Sequence, residues 1–113
     1  MNQVRTRRGA VSIVVLALAL LACAPVHADG DGAALYKSKC AVCHGADGKA
    51  GTPAAKAMAA SDLTSPAAQK MTDAQLIEIT TKGKNKMPGY EKSLSAAQIK
   101  EVVAHVRELG KKK

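Results

Sequence analysis

Aromatic side chains are nearly missing from this 113-residue chain, which has no Phe, no Trp and only two Tyr, Tyr36 and Tyr90. Large rings supply much of the buried area in small domains, so a core built on them is excluded. A domain of this length buries little apolar surface and usually needs a disulfide, a metal or a cofactor. Cysteine is also scarce. Of the three, Cys40 and Cys43 are too close in sequence to staple distant segments, which excludes a disulfide scaffold. No apolar run is long enough for a comfortable membrane span of about 20 residues. The longest, Ala10 to Ala22, has thirteen residues and is interrupted by Ser12. Acidic residues number nine against seventeen basic ones, for a net charge of +8. That excess suits an acidic partner. Nucleic acid is not expected, because no reading motif accompanies the charge.

The first 28 residues have the layout of an export signal: Arg5, Arg7 and Arg8, then the short apolar run, then small residues up to Ala28. Val26-His27-Ala28 suits ordinary cleavage before Asp29. Leu20-Leu21-Ala22-Cys23 offers an alternative, a lipoprotein box in which Cys23 becomes an acylated N-terminus. Cleavage after Ala28 is preferred, since Leu21 fits that box imperfectly. It leaves fourteen basic residues against nine acidic ones, in a domain expected in the periplasm without a transmembrane span.

That domain is organised around Cys40-Ala41-Val42-Cys43-His44. On a helix the two cysteines project from one face about a turn apart. There each sulfur can form a thioether with a vinyl group of one porphyrin, and His44 can bring a ring nitrogen to the iron. A Cys-x-x-Cys pair can also be a redox dithiol or half of a zinc site, but the dithiol reading leaves the trailing His unexplained. Absent aromatics favour haem, because a large apolar macrocycle would supply the missing core.

Asp31 is a plausible N-cap for a helix running into the motif, with Gly32, Tyr36, Cys40 and Cys43 on one stripe. From Gly45 to Pro66 periodicity is lost, and a loop with one helical turn over 54–60 is expected, wrapping the edge of a cofactor. Thr72-Asp73-Ala74-Gln75 and Ser95-Ala96-Ala97-Gln98 are capping boxes, with Met71/Leu76 and Leu94/Ile99 as staple pairs. Gly83 and Gly110 are the natural stops of the two helices, and 111–113 reads as a basic tail. Ile99, Val102, Val103, Val106 and Leu109 form an amphipathic stripe in the second helix. Between them lies Lys82 to Tyr90, polar apart from Met87 and Tyr90. A lone methionine there is hard to explain as core filling, and Pro88 biases it towards an extended conformation that helps to aim its side chain.

In combination and order, the Cys40–Gly45 segment, the Lys86-Met87-Pro88 loop and the final helix ending near Leu109 resemble a small monohaem cytochrome of the class I cytochrome c family. The resemblance covers nearly all of 30–110 and implies an all-α fold, about three to four helices around one covalently bound haem c. It implies that Cys40 and Cys43 carry the thioethers and that His44 and Met87 are the axial iron ligands, with Met58 and Met71 as the other methionine candidates. It further implies that the first and last helices cross with Gly32 and Tyr36 at the contact. His105 stands where the family has an aromatic residue, and is expected to pack rather than to bind iron. Pro53 is the nearest candidate for the carbonyl that accepts a hydrogen bond from the proximal histidine.

The expected function is one-electron transfer in the periplasm, since filled axial positions leave no site for a substrate and argue against an enzyme. Lys37, Lys39, Lys84, Lys86 and Lys92 lie near the motif residues in sequence and would steer an acidic redox partner. The alternatives are the haem subunit of a larger oxidoreductase complex and a haem enzyme or ligand sensor with an open axial site.

Overall fold

A computed structural model describes residues 29–112, so the expected signal segment, Cys23 and Lys113 lie outside the described residues. Among the described residues six helices follow one another: α1 (Asp29–Lys39), α2 (Ala41–His44), α3 (Pro53–Met58), α4 (Pro66–Gln69), α5 (Asp73–Lys82) and α6 (Ala96–Lys111). Among the described residues the only extended pairing is an isolated antiparallel bridge between Lys84 and Met87. No described helix is long and apolar enough to cross a membrane.

The first helix begins two residues before the expected cap. Asp31 sits inside its first turn, where a carboxylate meets the positive end of the helix dipole. It also ends sooner than the stripe predicts. Cys40, at φ −114° and ψ −37°, separates α1 from α2. The turn is nonetheless kept, since the backbone N–H of Cys43 and of His44 both donate to the Cys40 carbonyl, at 3.1 and 2.9 Å. Cys40 and Cys43 therefore remain one turn apart.

Between Gly45 and Pro66 the expected helical turn over 54–60 forms as α3, and at the far end of the loop the chain starts α4. Both begin alike. The Thr52 hydroxyl accepts from the Ala55 N–H at 3.0 Å and the Ser65 hydroxyl from the Ala68 N–H at 3.2 Å, each just before a proline at the first helical position. Proline has no N–H to lose there and its φ suits the helix. Pro66 thus opens an element rather than closing a loop.

Both expected capping boxes form, at Thr72/Gln75 and Ser95/Gln98. The Leu94/Ile99 staple is buried in the main core cluster with Tyr36, Val102, Val106 and Leu109. Gly110 does not stop α6, which continues to Lys111. Its role is close approach, because a Cβ at that position would lie 2.3 Å from the Gln69 side-chain carbon.

The first and last helices cross as the resemblance implies. A Cβ on Gly32 would lie 2.4 Å from the Glu101 carbonyl oxygen, so only glycine lets the two backbones come this close. One turn on, the Tyr36 and His105 rings pack with centroids 5.0 Å apart at 50°. Farther along α6, Arg107 donates to the carbonyls of Gln69 (2.9 Å) and Met71 and to Asp73 Oδ1 (2.9 Å), tying α6 to the chain between α4 and α5.

Candidate haem-binding site

One apolar cleft gathers residues from α1, α2, α5 and α6 and from the segments between them. Tyr36 and Cys40 come from α1 and its end, and His44 from α2. Leu63 comes from the segment before α4, Leu76, Ile79 and Thr80 from α5, Met87 from the following turn, and Val102, Val103 and Val106 from α6. The two sequence-predicted axial ligands, 43 residues apart, thus line the same cleft. Cys40 lines it as well, whereas Cys43 stands half-buried on α2 beside His44 without belonging to the lining. Neither cysteine is in a disulfide.

His44 is 9% exposed, and its Nδ1 lies 2.9 Å from the Ser61 carbonyl oxygen. A carbonyl only accepts, so Nδ1 carries the proton and Nε2 keeps its lone pair for another bond. The expected owner of this acceptor is therefore corrected. Pro53 instead opens α3, and the carbonyl belongs to Ser61, which no side-chain pattern marks. The backbone is held too, since the Ala50 N–H donates to the His44 carbonyl at 2.8 Å.

Met87 is carried by a tight turn. Lys84 and Met87 exchange backbone hydrogen bonds of 3.0 and 2.9 Å, and Asn85 takes a φ of 54° between them. The neck of the turn is packed backbone to backbone. A Cβ on Gly83 would lie 2.6 Å from the Met87 carbonyl oxygen, and one on Gly89 2.7 Å from Thr81 O. Beyond the neck, Tyr90 N–H donates to Thr80 O at 3.0 Å, and the Tyr90 hydroxyl reaches Lys39 O at 3.1 Å. The competing methionines are elsewhere. Met58 ends α3 and is 38% exposed, and Met71 is half-buried outside the cleft lining.

The lining is apolar and its polar groups are paired. The Tyr36 hydroxyl donates to Gly45 O at 2.7 Å and the Thr80 hydroxyl to Leu76 O at 2.8 Å. No buried side-chain nitrogen or oxygen among the described residues lacks a partner. Burial pushes the Cys40 thiol up to about 11, helped by neighbouring Cys43, and raises the Tyr36 hydroxyl well above its ordinary range. Six aliphatic walls, one neutral imidazole nitrogen and one thioether suit a haem, whose iron takes such nitrogen and sulfur ligands. The residues present fit the group.

Residues 27–106 match the family described as cytochrome c oxidase, cbb3-type, subunit III. The chain belongs to the c-type cytochromes. Among solved structures it is similar to the KustC0563 c-type cytochrome, at 30% identity and a TM-score of 0.66, covering 72% of this chain and 99% of that one. A tyrosine-to-phenylalanine variant of that protein is similar at 28% identity and a TM-score of 0.64, covering 70% and 98%. No curated protein matches significantly. As a c-type cytochrome, the protein binds covalently attached haem c with its iron and works by haem-based electron transfer with redox partners. The all-α cytochrome fold inferred from the motifs is the one observed.

Proposed function

We propose that this cytochrome is a periplasmic one-electron carrier in which Cys40 and Cys43 form the thioethers and His44 and Met87 are the axial ligands. The observation carrying this reading is that His44 and Met87, from α2 and the turn after α5, line one apolar cleft together with Cys40. When bound, the haem supplies an iron that alternates between ferric and ferrous states. The protein sets the balance between them. Met87 offers a soft sulfur that favours ferrous iron, and the aliphatic walls disfavour the extra charge of ferric iron. His44 pulls the other way, because its hydrogen bond to Ser61 O makes the imidazole more basic. With both axial positions taken, a substrate reaches the iron only by displacing Met87, which favours electron transfer over catalysis.

Met87→Ala is the test. The parent ferric protein should be low-spin with the weak red absorption band of sulfur ligation, and the variant should lose that band. A parent without the band and high-spin in both forms would show an open axial site and refute the assignment. Substituting exposed Met58 should leave the band in place.

Residues 1–28 are proposed to be a cleaved export signal, with acylation at Cys23 as the alternative. The intact mass of the mature protein separates the two and reports the haem adduct in the same spectrum. Lys37, Lys39, Lys84, Lys86 and Lys92 are all exposed and are proposed to face an acidic redox partner. Lys86 has a structural bond as well, its ammonium donating to the Ala57 carbonyl at 3.1 Å. The matched family is named for an oxidase subunit, which favours a second reading as the haem subunit of a larger complex. Co-purification with a catalytic subunit at high salt would decide for it.

A further inference from the structure

We propose that the Tyr36 hydroxyl is a positioning group for the iron ligand, holding the Gly45–Ala46 peptide, one residue beyond His44, so that the imidazole keeps its bond to Ser61. The inference rests on His44 being an axial ligand. Tyr36 is the most deeply buried large side chain, 1% exposed, and its ring already packs the crossing of α1 and α6 against His105. Packing alone would be served by a phenylalanine, which needs no partner for a hydroxyl. Instead the hydroxyl donates at 2.7 Å to the carbonyl of Gly45, the residue directly after His44.

That carbonyl is at the point where α2 stops. Gly45 takes φ 80° and ψ 155°, a left-handed backbone that favours glycine, and turns the chain out of the helix. Its carbonyl also accepts from the Gly48 N–H at 3.1 Å, while His44 O accepts from the Ala50 N–H. These two bonds are local, tying the loop only to itself. The Tyr36 bond is the one that anchors it to α1 and thereby to the helix crossing. Because His44 Nδ1 must meet a carbonyl seventeen residues away, a shift of the Gly45–Ala46 peptide that carries back through Gly45 to His44 changes the length of that ring bond.

The sign of the effect follows. A loosened Nδ1–H bond makes the imidazole a weaker donor to iron, which stabilises the ferric state less. Tyr36→Phe removes one oxygen and keeps the ring. In the holoprotein it should shift the one-electron equilibrium against a fixed redox couple about threefold towards ferrous, about 28 mV for one electron. The paramagnetically shifted NMR signals of the His44 ring should move with it. His105→Phe is the control, since it keeps an aromatic contact with Tyr36 and leaves the hydroxyl bond intact. It should leave both readouts at their parent values.

An unchanged equilibrium in Tyr36→Phe, or a shift towards ferric, would overturn the proposal. So would an equal shift in His105→Phe, which would assign the effect to packing at the crossing. Absence of shifted His44 ring signals from the parent itself would refute the ligand assignment and this inference with it, so the two failures are distinguishable.

Discussion

His105 brings a titratable ring to a helix crossing that is otherwise apolar. Burial, aided by Lys112 and opposed by Glu108, holds its pKa below the ordinary 6.5. The native state therefore binds fewer protons than the unfolded chain when the pH falls below about 6.5, and stability declines there. About a unit above that value His105 is neutral in both states and contributes no slope. Thermal unfolding of the holoprotein should show a melting temperature that drops on acidification from about pH 7.5 to 5.5, with a smaller drop in His105→Phe. Equal drops in parent and variant would assign the loss to the carboxylates. At this scale the sequence was most legible where chemistry fixes spacing. On the proposed attachment and ligation, a porphyrin with two vinyl groups sets the interval between Cys40 and Cys43, and an isolated methionine before proline singles out Met87. Ser61 was invisible because it acts through a carbonyl that every residue has.

Among the elements, the crossing of α1 and α6 depends on Gly32 most directly. Gly32→Ala puts a methyl group against the Glu101 carbonyl, a backbone atom that cannot rotate away. The helices must part, and the packing of Tyr36 on His105 loosens with them. A loss of about 3 kcal/mol is expected, read from the denaturant midpoint of the holoprotein. A change below about 0.5 kcal/mol would mean that the helices separate at little cost. Helix starts at α5 and α6 were readable because capping boxes are local side-chain chemistry. The division of α1 from α2 and the existence of α4 were not. Four-residue helices are too short for apolar periodicity, and a break at Cys40 changes one residue's dihedrals without changing the pattern of side chains.

For the whole molecule, the excess of lysine over carboxylate predicts how it meets other proteins. Association with an acidic redox partner should slow about tenfold as ionic strength rises from about 0.01 to 0.15 M. Replacing exposed Lys84 and Lys92 by Glu should reduce the low-salt rate and flatten that dependence. Stopped-flow electron transfer measures both, and a salt-independent rate would sink the steering proposal. The need for a central cofactor was legible in the poverty of aromatics. The cleft itself was not, because its walls come from segments that only the folded chain brings together.

The crossing of α1 with α6 also sets an order of events. Five of the buried core residues, Ile99, Val102, Val103, Val106 and Leu109, lie on α6, made after the other five helices. Until that helix has been synthesised, Gly32 and Tyr36 have nothing to close upon, and α1 is too short to persist alone in water. Under the proposed export, the nascent chain would stay open through most of its synthesis, a loose thread suited to passing through a narrow translocation pore. On the proposed thioether assignment, the two thiols would remain accessible until the last helix closes the core.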